Sequence, residues 1–369
     1  MARLEKTLLL AELLHVDGSS LRTFDLARSL AARGIDVVTI ASAGRLAQKF
    51  ATAGLTLHDY YRIDRIALPH LLNDKIIRLA QAAEPDIIHA CTPKLSRLAA
   101  CLARACRTKY VVTANTIAES RCRIRRSRRC GGIIAPTQFV REWLVNNAGI
   151  PKEAITVIPN GVEIDPLGNL PHAKRACHPA PGQPGSATEG YAPVIGMVGP
   201  FAPGEGHDCF LSAASVIAAA LPDAHFVIAG DGPDRSVRSK LEKLNLVKRT
   251  TIIPAFLDFR HLLASIDVLL VPSLMEGHAR LILDAMANRR PVVATGVGEN
   301  FEVVRDGETG LLVPKNDFSA LAQKAILVLT DPDLRANILT TAFEFVRDDF
   351  SLARMAKDTL AFYGQAMAE

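Results

Sequence analysis

The chain has 369 residues, 49% hydrophobic and 22% charged, with a net charge of +5. That is about twice a usual domain length and a globular balance, so two domains are expected and a disordered chain is excluded. The longest charge-free stretches, 191–204 and 209–222, hold 14 residues each, both with Pro and the first also with Gly. A spanning helix needs about 20 apolar residues, so none is expected.

The elements follow in chain order. Residues 1–14 join a basic start to an apolar run, but Glu12 interrupts it and no small-residue cleavage site follows. They read as a first strand rather than a signal peptide. Gly18-Ser19-Ser20 then forms a small-residue turn opening a helix at 20–33. Its N–H groups can receive an anion or serve as a plain strand-to-helix turn. Further strands are predicted at 36–41, 86–91, 110–113, 132–135 and 155–158, with helices at 94–107 and 138–148. In the second half, strands fall at 194–198, 225–229, 251–253, 268–271, 291–294 and 311–313. Helices fall at 208–220, 234–244, 279–287, 320–329 and 351–368. This alternation predicts α/β architecture with two parallel, doubly wound sheets. Such sheets bind ligands at the carboxyl ends of their strands, here expected around one interdomain cleft.

Residues 132–137 and 268–273 share one pattern: a buried strand, then Pro136 or Pro272, then Thr137 or Ser273 in a position suited to cap a helix. Between the halves, 165–193 holds six prolines and four glycines in 29 residues, which reads as a flexible linker. Seven cysteines without a CxxC spacing argue against a disulfide framework and for a reducing, cytoplasmic location.

Arg121, Arg123, Arg125, Arg126, Arg128 and Arg129 fall within nine residues. They are either a solvated face or a patch for an anionic partner such as a membrane surface. With few aromatics and no recognised binding motif, nucleic acid is not expected.

The run 272–280, Pro-Ser-Leu-Met-Glu-Gly-His-Ala-Arg, leads from a buried strand into a helix. It places Glu276 near that helix start, with Asp284 two turns on. The two carboxylates either address a sugar and a ribose, or are a helix-start acid and a solvated residue.

Taken in order, several motifs resemble the retaining GT-B glycosyltransferases of family 4. They are Gly230-Asp-Gly-Pro233, Pro272-Ser273, Glu276-Gly277, Pro291-Val-Val-Ala-Thr295 and Asp306-Gly-Glu-Thr-Gly-Leu-Leu-Val313. In the first half, Pro85-Asp-Ile-Ile-His89, Pro136-Thr-Gln-Phe-Val-Arg141 and Val157-Ile-Pro-Asn-Gly-Val162 agree with that family's acceptor domain. The resemblance implies two Rossmann-like domains: an acceptor side at 1–164 and a nucleotide-sugar side at 194–350. A last helix at 351–369 returns to the first. It also implies sugar transfer from a nucleoside diphosphate donor, with retention, to a glycan or lipid-linked acceptor in envelope polysaccharide synthesis. No metal or other cofactor is expected, because helix N-termini and cations hold the diphosphate. By the same resemblance Glu276 contacts the donor sugar and Asp284 the ribose. Backbone amides near Ala279 and Arg280 meet the diphosphate.

This chain departs from the family pattern at several of these positions. The loop beginning at Gly199 carries Pro200 and Glu205 where an arginine and a lysine are usual. At about 4 Å and an effective dielectric near 20, such a charge reversal is worth roughly 4 kcal/mol before screening. Asp284 replaces a glutamate, His278 an aromatic residue, Ala279 a glycine, Glu299 the second of two glycines, and Asn115 a histidine. The missing cation is assigned to Arg280, with a solvent-facing helix arginine as the other reading. The departures also admit a degenerate member that binds a partner without turnover, and more remotely a GT-B-shaped epimerase.

Overall fold

The computed structural model describes residues 4–15, 18–61, 63, 74–117, 124, 126–164, 192–254 and 259–368. The predicted linker at 165–193 lies almost wholly outside them. The chain divides into two compact units, Met1–Gly161 with Phe350–Glu369, and Val162–Asp349.

The first unit is built on seven strands: β1 (Lys6–Leu13), β2 (Asp36–Ser42), β3 (Thr56–Asp59), β4 (Ile87–Ala90), β5 (Lys109–Thr113), β6 (Cys130–Ala135) and β7 (Ile155–Val157). All pairs are parallel and the order is β3-β2-β1-β4-β5-β6-β7. Parallel strands covered on both faces need apolar residues at successive positions, and β1 supplies them. Leu9 and Ala11 enter one core while Leu8 and Leu10 enter another. The covering helices are α1 (Gly18–Ala31), α2 (Ala47–Thr52), α3 (Asp74–Ala82), α4 (Ser96–Ala105) and α5 (Gln138–Ala148). Thr137 caps α5 as predicted, its hydroxyl accepting from the Val140 N–H at 3.2 Å.

The second unit has six parallel strands: β8 (Val194–Val198), β9 (His225–Ala229), β10 (Thr250–Ile253), β11 (Val268–Val271), β12 (Val292–Thr295) and β13 (Leu311–Val313). Their order is β10-β9-β8-β11-β12-β13. Helices α6 (His207–Ala220), α7 (Arg235–Lys243), α8 (Phe259–Ser265), α9 (Ala279–Ala287), α10 (Asn300–Val303), α11 (Phe318–Thr330) and α12 (Pro332–Asp349) complete it.

The final helix, α13 (Leu352–Ala368), belongs to the first unit. Its Met355, Phe362, Tyr363 and Ala366 join the same core as Leu9 and Val111. Close approach needs small residues opposite. A side chain at Gly131 would overlap Ala366, and one at Gly161 would press on Leu352 and Met355.

Ser273 does not cap a helix. Helix α9 begins only at Ala279, after a seven-residue excursion from β11. The Ser273 hydroxyl is buried, with no hydrogen-bond partner among the described residues. Strand β3 and helices α2, α3, α8, α10 and α12 are elements that sequence patterning did not give.

Candidate active site

In the second unit the strand order reverses between β8 and β11, the position at which an open parallel sheet leaves a crevice beyond its carboxyl edge. Three loops meet there. The first runs from Gly199, whose N–H donates to Ala229 O at 2.9 Å, while the Phe201 N–H donates to Asp231 O at 2.9 Å. The second, after β11, is joined to the first by the Leu274 N–H, which donates to Gly204 O at 2.8 Å. The third follows β12, and its Glu299 N–H donates to Glu276 O at 2.9 Å.

Asn300 fixes the turn that carries Glu276. Its Oδ1 accepts from the His278 N–H at 2.9 Å and its Nδ2 donates to Thr295 O at 3.0 Å. Gly277 sits between them at φ +89°, a left-handed conformation, with Asn300 where a side chain would go. Only glycine satisfies both conditions. Asn300 was not among the residues singled out by sequence, although it directly follows Gly298-Glu299, which was.

The charges of the site pair within it. Glu205 Oε2 lies 2.6 Å from His278 Nε2. The anion in the lysine position therefore meets the imidazole in the aromatic position. The Glu205 carboxyl is thus engaged by the imidazole. Arg280 Nε donates to Asp284 Oδ2 at 2.9 Å, and both side chains are mostly buried, 16% and 17% exposed. Neither the solvent-facing arginine nor the solvated aspartate is what the structure holds. Glu276 is half-buried. Glu299 is 7% exposed, and burial pushes its carboxyl up to about 8, with the Glu276 and Glu302 charges adding to the effect.

Ala279, the first residue of α9, is buried, and His278 before it provides no side-chain cap. The leading N–H groups of this helix thus keep their capacity for an anion. Gly199 lies against Glu205, whose carboxylate would press on any side chain there.

The other predicted residues lie in the first unit. Gly18 and Ser19 form the first turn of α1, Gly18 exposed and Ser19 half-buried. Asn115 follows β5, buried, its Nδ2 donating to Cys91 O at 2.9 Å. Beside it at the same sheet edge, Glu12 accepts from Thr92 Oγ1 at 2.7 Å and Lys94 Nζ at 3.0 Å. Sequence patterning used Glu12 only as a break in an apolar run.

Arg121, Arg123 and Arg125 lie outside the described residues. Arg126 and Arg128 are exposed, and Arg129 is half-buried with Nη1 donating to Thr108 O at 3.3 Å. Among the described residues no helix is long and apolar enough to cross a membrane, and no group of His, Cys, Asp or Glu is placed to hold a metal.

Two family models match the chain: Glycosyltransferase Family 4 over residues 16–166, and Glycosyl transferases group 1 over residues 192–331. The chain is similar to 2-deoxystreptamine glucosyltransferase of Streptomyces kanamyceticus, 29% identical over 66% of this chain and 62% of that protein. It thus spans less than two thirds of that relative. Lipopolysaccharide core biosynthesis glycosyltransferase LpsE of Rhizobium meliloti is 27% identical over 91% of this chain and 92% of its own. Anabaena HepE, solved with UDP and glucose, shares the fold at a TM-score of 0.79 and 19% identity, covering 98% and 99% of the two chains.

Proposed function

The chain belongs to the group 1 glycosyltransferases with the GT-B fold, and from that premise we propose that it transfers a sugar from a nucleoside diphosphate donor, with retention, to a glycan or lipid-linked acceptor. The reading rests on one observation above all. At the switch point of the second sheet, Glu276 stands just ahead of α9, a helix whose first N–H groups lack a side-chain cap.

In this reading Glu276 contacts the transferred sugar. The amides of Ala279 and Arg280 receive the diphosphate, where the helix dipole and a nearby guanidinium favour the charge that grows on the leaving group. Asp284 serves the ribose and also holds Arg280 through its 2.9 Å contact. Gly18 and Ser19 offer further backbone N–H groups to the donor, Gly199, whose N–H is taken by Ala229 O, borders it without a side chain, and Asn115 addresses the acceptor. The binding of UDP and glucose in HepE supports a nucleotide-sugar donor, and the name of LpsE supports an envelope acceptor. The exposed Arg126 and Arg128 support docking on an anionic surface where a lipid-linked acceptor resides.

Isothermal titration with UDP and GDP tests the donor site. Arg280→Ala is expected to weaken the nucleotide that binds by about ten- to hundredfold, the worth of a charged hydrogen bond. Arg280→Lys recovers part of the loss, because a lysine lacks the bidentate fork. Unchanged affinity in a folded Arg280→Ala chain removes the arginine from the site. Absence of binding by both nucleotides in the wild-type chain removes the transferase reading.

A further inference from the structure

Glu299 occupies a position where the family pattern has glycine, and its surroundings are unusual for an acid. The residue is 7% exposed. Gly298 before it, at φ +48°, approaches Glu276 O so closely that a side chain would overlap it, and the Glu299 N–H donates to that same oxygen. The loop is therefore laid along the turn that carries Glu276. The charged groups facing Glu299 are Glu276 from that turn and Glu302 from its own helix, both carboxylates. Among the described residues its carboxyl makes no hydrogen bond and no ion pair. His278 Nε2 lies 2.6 Å from Glu205 Oε2, and Arg280 Nε donates to Asp284 Oδ2 at 2.9 Å.

A side chain needed only to bond a sugar hydroxyl would be served by glutamine at far lower cost, since burying a carboxylate beside like charges is strongly disfavoured. What glutamate adds to glutamine is negative charge, and the complement of negative charge at close range is a cation.

We propose that Glu299 is a specificity-determining residue for the transferred sugar, forming with Glu276 a pair of carboxylates that receives a protonated amine on that sugar. This rests on the reading of Glu276 as the residue that contacts the donor sugar. An ammonium between two carboxylates makes charge-assisted hydrogen bonds to both. Its arrival ionises Glu299, so binding of the ammonium donor to the protonated form releases one proton to solvent.

Isothermal titration of the full chain near neutral pH, in buffers of different ionisation enthalpy, reads both affinity and proton release. The ligands are the glucose conjugate of whichever nucleotide binds, UDP or GDP, and its analogues with a free amine at carbon 2, 3, 4 or 6. At least one amine donor is expected to bind about tenfold tighter than the hydroxyl donor and to release a proton. Glu299→Gln shrinks that preference to less than about threefold, and Glu299→Gly carries the same comparison if the glutamine variant does not fold. The proposal is overturned if no amine donor out-binds the hydroxyl donor, the result expected of a carboxyl that serves a hydroxyl. It is equally overturned if the preference survives both substitutions. A chain that binds nucleotide without amine preference loses this inference alone. One that binds neither UDP nor GDP loses the donor-site reading as well.

Discussion

His89 and Glu299 are both buried, and both load the stability of the protein with a pH dependence, in opposite directions. His89 Nδ1 lies 2.7 Å from the Tyr363 hydroxyl and Nε2 lies 2.7 Å from Thr113 Oγ1. Burial first, and then the Arg22 charge, push it from 6.5 down to about 3. The unfolded chain therefore takes up this proton below pH 6.5 while the folded one refuses it until about 3, and stability falls as pH falls through that window. Glu299 works the other way: the unfolded chain releases its proton near 4.5 and the folded one holds it to about 8. Stability then falls as pH rises through that window, by at most about 1.4 kcal/mol per pH unit. Glu299→Gln is predicted to be more stable than wild type, with an advantage that grows from about pH 5 to about pH 8. Urea unfolding across that range checks it, and a constant difference would show that Glu299 ionises normally in the fold. The sequence displayed the exchange at Glu205 and the one at His278, yet not that they meet. They lie 73 residues apart, and pairing over such a separation is a property of the folded sheet edge alone.

At the scale of elements, strands buried on both faces announce themselves as apolar runs, and so β8, β9, β11 and β13 were legible to the residue. Strand β3 was not, because Thr-Leu-His-Asp is a four-residue edge strand with no buried position. Helix α12 buries only Ile338, Ala342 and Val346, one residue per turn, so its apolar stripe is thin. Its start did carry a signal: the Leu334 N–H donates to Asp331 Oδ1 at 2.9 Å, and Asp331-Pro332 is a favoured helix opening. The packing of α13 can be tested with two glycines. Gly131→Ala places a methyl group into Ala366 and is expected to cost about 1–3 kcal/mol by overpacking. Gly364→Ala, on α13 itself with nothing within 4 Å, is expected to stabilise by roughly 0.5–1 kcal/mol. Thermal unfolding of the two variants should shift in opposite directions, and a shared sign would contradict the close contact at Gly131.

For the whole molecule, the repeated strand–helix grammar made two units visible, because each sheet is assembled from consecutive stretches of sequence. Among the described residues, one core of the second unit runs from Ile195 to Ile338 and is built from that unit alone. A chain ended after Asp349 is therefore predicted to keep the second unit folded and to lose cooperative structure in the first, which is deprived of Met355, Phe362, Tyr363 and Ala366. Limited proteolysis distinguishes the outcomes: a resistant first unit in the shortened chain would mean that α13 is dispensable. The basic segment acts at this scale too. Sedimentation with anionic vesicles should fall steeply with salt and with Arg126→Glu plus Arg128→Glu, each basic residue being worth about 1 kcal/mol at such a surface. Equal binding to neutral vesicles would dismiss a membrane role.

The place of α13 in one core and of its codons after the other unit sets an order of assembly on the ribosome. The first unit is translated first yet lacks a wall of its core until the second has been made, which at about 5–20 residues per second is a wait on the order of 10–40 s. During that interval the second unit has all it needs to fold, while the glycine-lined face at Gly131 and Gly161 stays open to water and to holdase chaperones. The nascent chain is thus finished in the reverse of the order in which it is written.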